Sequence, residues 1–106
     1  MKQHLTLTDA AVADILEQAD WYQGQSDQKL AKRWETAVTS ILLRILKNPR
    51  AGSPCSFKSE ELYNVRRMSV AGFPKHLVFY QFQGGEILIL RIVHGARDLE
   101  SLLRIR

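Results

Sequence analysis

The side chains best suited to chemistry gather in the second half of the chain: Arg66, Arg67, Lys75, His76, Arg91, His94 and Arg97. Guanidinium and ammonium groups bind phosphate or carboxylate through charge-assisted hydrogen bonds. The imidazoles can take or give a proton near neutral pH. Charge divides in the same way. Met1 to Leu43 holds four basic and six acidic residues, a net of −2, whereas Arg44 to Arg106 holds eleven and five, a net of +6. The second half is therefore a candidate surface for nucleic acid or an acidic protein, the plain alternative being a solvated basic face with no partner.

Arg91 stands apart because it interrupts an otherwise apolar strand. An arginine there needs a carboxylate, a carbonyl or a ligand phosphate to offset its desolvation, and Asp98 or Glu61 can serve. Asp9, Asp14, Glu17 and Asp20 read as surface acids of a helix with no histidine near them. Cys55, beside Pro54, reads as an inert loop thiol. The sequence has no phosphate-cradling glycine loop, no His-Glu-x-x-His and no nucleophile elbow. A lone cysteine supplies neither an internal disulfide nor a cysteine zinc cluster. Neither a metal nor a cofactor is expected.

The elements that must position these residues follow from periodicity and caps. Lys2 to Leu7 alternates as a short strand. Thr8 is a helix N-cap with Asp9 in the first turn, and Val12, Ile15, Leu16, Ala19 and Tyr22 form a stripe predicted to be buried. Gly24 ends this helix near Gln23. Ser26 or Asp27 caps a second helix, with Leu30, Trp34, Ala37, Val38, Ile41 and Ile45 on one face. Asn48-Pro49 stops it. So short a connection makes the two helices an antiparallel hairpin. Arg50 to Glu61 reads as a loop. Tyr63 to Val70 and His76 to Gln83 read as strands around a Gly72-Phe73-Pro74 turn, and Gly84-Gly85 as a tight hairpin into Glu86 to His94. Strict alternation in that last strand puts Ile87, Ile89 and Val93 on one face and Leu88, Leu90 and Ile92 on the other, so both faces are covered. Asp98 caps a short helix, Leu99 to Leu103. The expected fold is α+β in the order β-α-α-β-β-β-α, a helical hairpin packed on a mainly antiparallel four-stranded sheet.

At 106 residues, with 45% hydrophobic and 25% charged side chains, the composition fits one globular domain and excludes a disordered or low-complexity chain. Apolar runs such as Ile41 to Leu43 and Ile87 to Leu90 fall far short of the roughly 18 residues a membrane span needs. The opening MKQHLTLTD lacks the apolar core of a secretory signal. A cytoplasmic protein with no membrane partner is expected.

Several stretches carry a family resemblance. Phe73-Pro74-Lys75-His76-Leu77-Val78-Phe79-Tyr80, the glycine hairpin, and Ile89-Leu90-Arg91-Ile92-Val93-His94-Gly95-Ala96-Arg97-Asp98 resemble the ParE branch of the RelE/ParE toxin superfamily. So do the helical hairpin closing on Asn48-Pro49-Arg50-Ala51-Gly52 and the strand Val65-Arg66-Arg67-Met68. The resemblance covers essentially the whole chain, and strand-then-His-Gly-Ala-Arg-Asp is its most specific part. It implies the toxin half of a bacterial type II toxin–antitoxin pair, a ParD-like antitoxin as partner, and operator DNA reached only through that antitoxin. ParE-like members are understood to poison DNA gyrase without being nucleases. RelE-like members are ribosome-dependent messenger RNA endonucleases that typically use a tyrosine near the C-terminus. Ribonuclease chemistry needs a proton acceptor, a proton donor and cations for the phosphorane. Here Arg66, Arg67 and Arg91 can furnish cations and His94 an acid or base, but no aromatic residue follows Tyr80. A gyrase-directed, non-enzymatic toxin is the expectation. The alternatives are ribosome-dependent cleavage through His94, Arg91, Arg66 and Arg67, and a degenerate member that keeps only antitoxin binding.

Two features suggest where a partner helix docks. Leu42, Leu43 and Leu46 lie off the main stripe of the second helix, and Trp21 projects from the back of the first. Together they make a candidate antitoxin groove. Burial of the leucines against the sheet, with Trp21 over the interhelix loop, is the competing reading. Arg66, Arg67, Lys75, His76, Arg91 and Arg97 make the candidate basic surface facing the target or the antitoxin.

Overall fold

Local chemistry fixes where the helices begin and how they are turned. In the computed structural model, which describes residues 2–95 and 99–103, strand β1 (His4–Leu7) leads directly into helix α1 (Asp9–Gly24). Thr8 caps α1 by accepting from the Ala11 amide at 3.0 Å, while its own hydroxyl donates to the Leu90 carbonyl at 2.8 Å. The cap thus ties the helix start to a distant strand. Helix α2 (Gln28–Lys47) is capped by Asp27, which accepts from the Leu30 amide at 2.9 Å, and it ends at Asn48 before Pro49. Of the two expected caps, Asp27 is the one used.

The buried face of α1 differs from the expected stripe. Ala11, Ala19 and Tyr22 are buried, while Val12 is 41% and Leu16 58% exposed. Two constraints turn the helix this way. The small side chains of Ala11 and Ala19 allow close approach, and Asp14 is bonded to the sheet from one flank. On α2 the expected face holds: Ala31, Trp34, Val38, Ile41 and Ile45 are buried.

The sheet has five strands in the order β1-β5-β4-β3-β2, with β1 parallel to β5 and the remaining pairs antiparallel. The added strand is β2 (Ser53–Pro54), which pairs with Arg67 and Arg66 of β3 (Val65–Val70). Two residues are too short to show a period, and proline is tolerated there because the strand is at an edge. A 3-10 turn at Glu60–Leu62 and Asn64 at φ 59° delay β3 to Val65. Strand β4 (Phe73–Gln83) begins inside the expected turn, where Phe73 pairs with Val70 and Gly72 takes φ 84°. Gly84 and Gly85, both at positive φ, carry the chain into β5 (Glu86–His94).

A bulge overturns the expected faces of β5. Tyr80 lies opposite Ile89 and Phe79 opposite Arg91, so Leu90 is an extra residue without its own partner. The alternation slips there by one place. Ile92 therefore joins Ile87 and Ile89 under the helical hairpin, whereas Val93 packs with Leu88 and Leu90 on the far side. The near face forms the larger core around Trp34, Val78 and Tyr80. The far face buries Leu62, Val65, Phe79, Leu90 and Leu103 beneath the Cys55–Leu62 segment and helix α3 (Leu99–Leu103). Glu100 anchors α3 by accepting from the Lys58 and Ser59 amides at 3.0 and 3.1 Å. Asp98, the expected cap of α3, lies outside the described residues, as does Arg97.

Candidate functional site

The basic residues do not converge on one centre. Alternation along β3 sends Arg66, opposite Tyr80, to the hairpin side of the sheet, and Arg67, opposite Phe79, to the other. Arg67 and Arg91 share a cross-strand level but stand two strands apart, about 10 Å between backbones. Lys75 is exposed, with its carbonyl accepting from the Gly95 amide at 2.7 Å. Arg91, the two histidines and Arg66 fall in three different places.

The first is the free edge of β5 beyond β1, where α1 crosses. The Nε and Nη2 of Arg91 donate to the Asp14 carboxylate at 2.8 and 2.9 Å, and its Nη1 donates to the Leu102 carbonyl at 3.1 Å. The same carboxylate accepts from the Ile92 amide at 2.9 Å. Arg91 thus finds a carboxylate to offset its desolvation, that of Asp14 rather than Glu61, while Asp98 lies outside the described residues. Its bonds to Asp14 hold the guanidinium even more firmly protonated than usual, against the opposing effect of burial. Arg91 is a clasp between α1, β5 and α3.

The second place is a cleft of about 580 Å³ between α1 and the sheet end, lined by Asp14, Glu17, Trp21, His76 and His94 among others. The expectation that the α1 acids have no histidine near them is overturned here. The rings of His76 and His94, paired across β4 and β5, stand 5.3 Å apart edge to face. His76 also packs against Trp34 at 4.9 Å. Burial, and then His94, lowers the His76 pKa from its ordinary 6.5, so it favours the neutral form. Among the described residues no group of three or more side chains is placed to hold a metal ion.

The third place is the corner where α2 hands over to the sheet. The Tyr80 hydroxyl, buried, donates to the Pro49 carbonyl at 2.7 Å and accepts from the Gly52 amide at 3.0 Å. Burial raises the phenol's pKa, so it stays protonated and makes both bonds. Gly52 fits because a Cβ there would lie 2.4 Å from the Tyr80 oxygen. Arg66 donates from Nη1 to the carbonyls of Gly52 and Arg50 at 2.7 and 3.1 Å. Arg50, in the loop after α2, extends over the Phe82 ring with 5.8 Å between its guanidinium carbon and the ring centroid. Arg50 and Arg66 line one pocket of about 240 Å³.

The suggested antitoxin groove separates into different environments. Leu42 and Leu46 are half-buried and pack against the main core. Leu43 is 53% exposed on α2, and Trp21, 59% exposed, lines the histidine cleft. Cys55 is partly buried, and burial raises its thiol pKa, which opposes thiolate reactivity.

With this geometry in place, comparison with known proteins gives a consistent answer. A family model described as the ParE toxin of the type II toxin–antitoxin system parDE matches residues 5–99. A solved structure of the chromosomal ParDE TA system from P. aeruginosa superposes with a TM-score of 0.71 at 19% identity, covering 88% of this chain and 96% of that one. At that identity the likeness speaks for the fold. No curated protein matches the chain.

Proposed function

The chain belongs to the ParE toxin family of type II toxin–antitoxin systems, and from that premise we propose that it inhibits DNA gyrase without enzymatic chemistry and is neutralised by a ParD-like antitoxin. The observation that supports this reading is the dispersal of the polar groups. Arg91 is bonded to Asp14 and the Leu102 carbonyl, Tyr80 is buried between Pro49 and Gly52, His94 sits with His76 in the cleft that Asp14 also lines, and Arg66 and Arg67 stand on opposite faces of the sheet. The cations that would stabilise a phosphorane in RNA cleavage, Arg66, Arg67 and Arg91, are not among the residues that line the histidine cleft. Antitoxin and gyrase partners are read from the family, and operator DNA is reached only through the antitoxin. Among the described residues no helix is long and apolar enough to cross a membrane.

Supercoiling and cleavage-complex assays with purified gyrase test the proposal. Inhibition or trapped cleavage at micromolar protein is the expected result, and its absence overturns the gyrase reading. Ribosome-dependent cleavage remains a second reading because His94 is exposed in an open cleft. Codon-phased cuts in messenger RNA that fall about 100-fold or more in His94→Ala would establish it instead.

A further inference from the structure

We propose that the Arg50–Arg66 corner is a carboxylate-binding pocket for an acidic peptide segment of a protein partner. On the antitoxin reading, on which the partner's identity rests, that segment belongs to the antitoxin. Arg50, Asn64, Arg66, Phe82, Gln83 and Gly84 enclose the 240 Å³ space. Two guanidiniums of like charge share it, and among the described residues no carboxylate pairs with either. That juxtaposition is unfavourable until an anion enters.

The pocket is also built in advance. Arg66 spends Nη1 on the Arg50 and Gly52 carbonyls, which fixes its plane and leaves Nε and Nη2 with no bond to another described residue. The loop carrying Arg50 is locked from beneath by Tyr80, through Pro49 and Gly52. Phe82 supports the Arg50 guanidinium by cation–π contact. Little side-chain ordering is left to oppose binding.

A carboxylate side chain fits these walls better than a nucleic acid. The aromatic face is already covered by Arg50, so no free ring is offered to a base. The Asn64 side-chain amide and the Nε2 of Gln83, whose Oε1 already accepts from the Tyr63 hydroxyl, instead suit the hydrogen-bonding groups of a peptide backbone. Arg91, neutralised by Asp14, and Arg67, on the other face of the sheet, take no part.

NMR of the arginine Nε–Hε groups in the full chain tests this with three probes at matched ionic strength: an acetylated hexaglutamate peptide, inorganic phosphate and an oligothymidylate. The proposal expects saturable shifts at Arg50 and Arg66 with hexaglutamate, weaker binding of the other two probes, and about a tenfold loss of peptide affinity in Arg50→Gln. Arg50 is exposed, so this variant keeps the fold. Arg66→Lys, which preserves the charge but not the planar fork, should also weaken the peptide. Unsaturable shifts, tighter binding of phosphate or oligothymidylate, or full peptide affinity in Arg50→Gln would each overturn the pocket. No antitoxin or gyrase enters this measurement, so its failure is distinct from failure of the functional reading.

Discussion

Arg66 and Arg91 are both strand arginines, and the two corners they occupy put the same side chain to opposite uses. At the β5 edge, Arg91 meets Asp14 and its charge is consumed inside the molecule. At the α2 corner, Arg66 bonds only to carbonyls, which orient a guanidinium without neutralising it. The first arrangement holds a helix to a strand edge; the second holds a loop and leaves positive charge facing a pocket. A cation's availability is therefore set by what satisfies its donors, not by which strand it stands on.

The largest expected effect lies at the α2 corner. Gly52→Ala would place a Cβ 2.4 Å from the Tyr80 oxygen, 2.9 Å from its Cε1 and 3.0 Å from the Arg67 carbonyl. The contacts involve a buried ring and backbone, so neither side yields easily. Overpacking and loss of the Tyr80 bonds together should cost about 3 kcal/mol. Thermal and urea unfolding would measure it. A variant as stable as the parent would mean that this corner is plastic and that Arg50 is not held in place.

The β5 edge should respond less, and in a way that separates the two arginines. Asp14→Ala strips Arg91 of its carboxylate and the Ile92 amide of its acceptor. Partial exposure lets water replace some of these bonds, so about 2 kcal/mol is expected. Adding Arg91→Met to Asp14→Ala should recover part of that loss, because the stranded cation is removed along with its partner. No recovery would show that the Ile92 bond, rather than the ion pair, carries the clasp.

This contrast also marks where the sequence was legible. Thr8, Asp27 and Asn48-Pro49 act through neighbours within a turn, so the helix ends could be read directly. Gly84-Gly85 marks its hairpin for the same reason. The Arg91–Asp14 pair spans 77 positions, and no local pattern encodes which distant acid an arginine will meet. The bulge at Leu90 leaves no mark in the composition, yet it exchanges the faces of Ile92 and Val93. Alpha-helical angles alone favoured the bulkier Val12 and Leu16 for burial on α1. The actual face follows Ala11 and Ala19, because small residues allow the closer approach. Nothing local marks Arg50 as a pocket residue, because its place depends on Phe82 and Arg66, neither adjacent in sequence.

The smallest expected effect separates the two ends of the molecule by pH. At the cleft end, His76 is held edge-on to Trp34 and beside His94, with Asp14 and Glu17 lining the same space. Burial and the neighbouring imidazole lower its pKa from 6.5. As the pH falls, the unfolded chain therefore takes up this proton before the folded one does. Stability contributed by the neutral ring is complete above about pH 6.5, declines towards the lowered folded pKa, and levels off below it. At the α2 corner, Tyr80 is shifted upward from 10.0 and adds nothing in that window. Tm followed between about pH 8 and pH 5 should fall with acidification in the parent and less steeply in His76→Gln. Gly52→Ala, although far less stable, should keep the parent's slope because its damage is at the other end. Equal slopes in the parent and His76→Gln would mean that the folded protein protonates His76 as readily as the unfolded chain, and that the cleft does not favour a neutral ring.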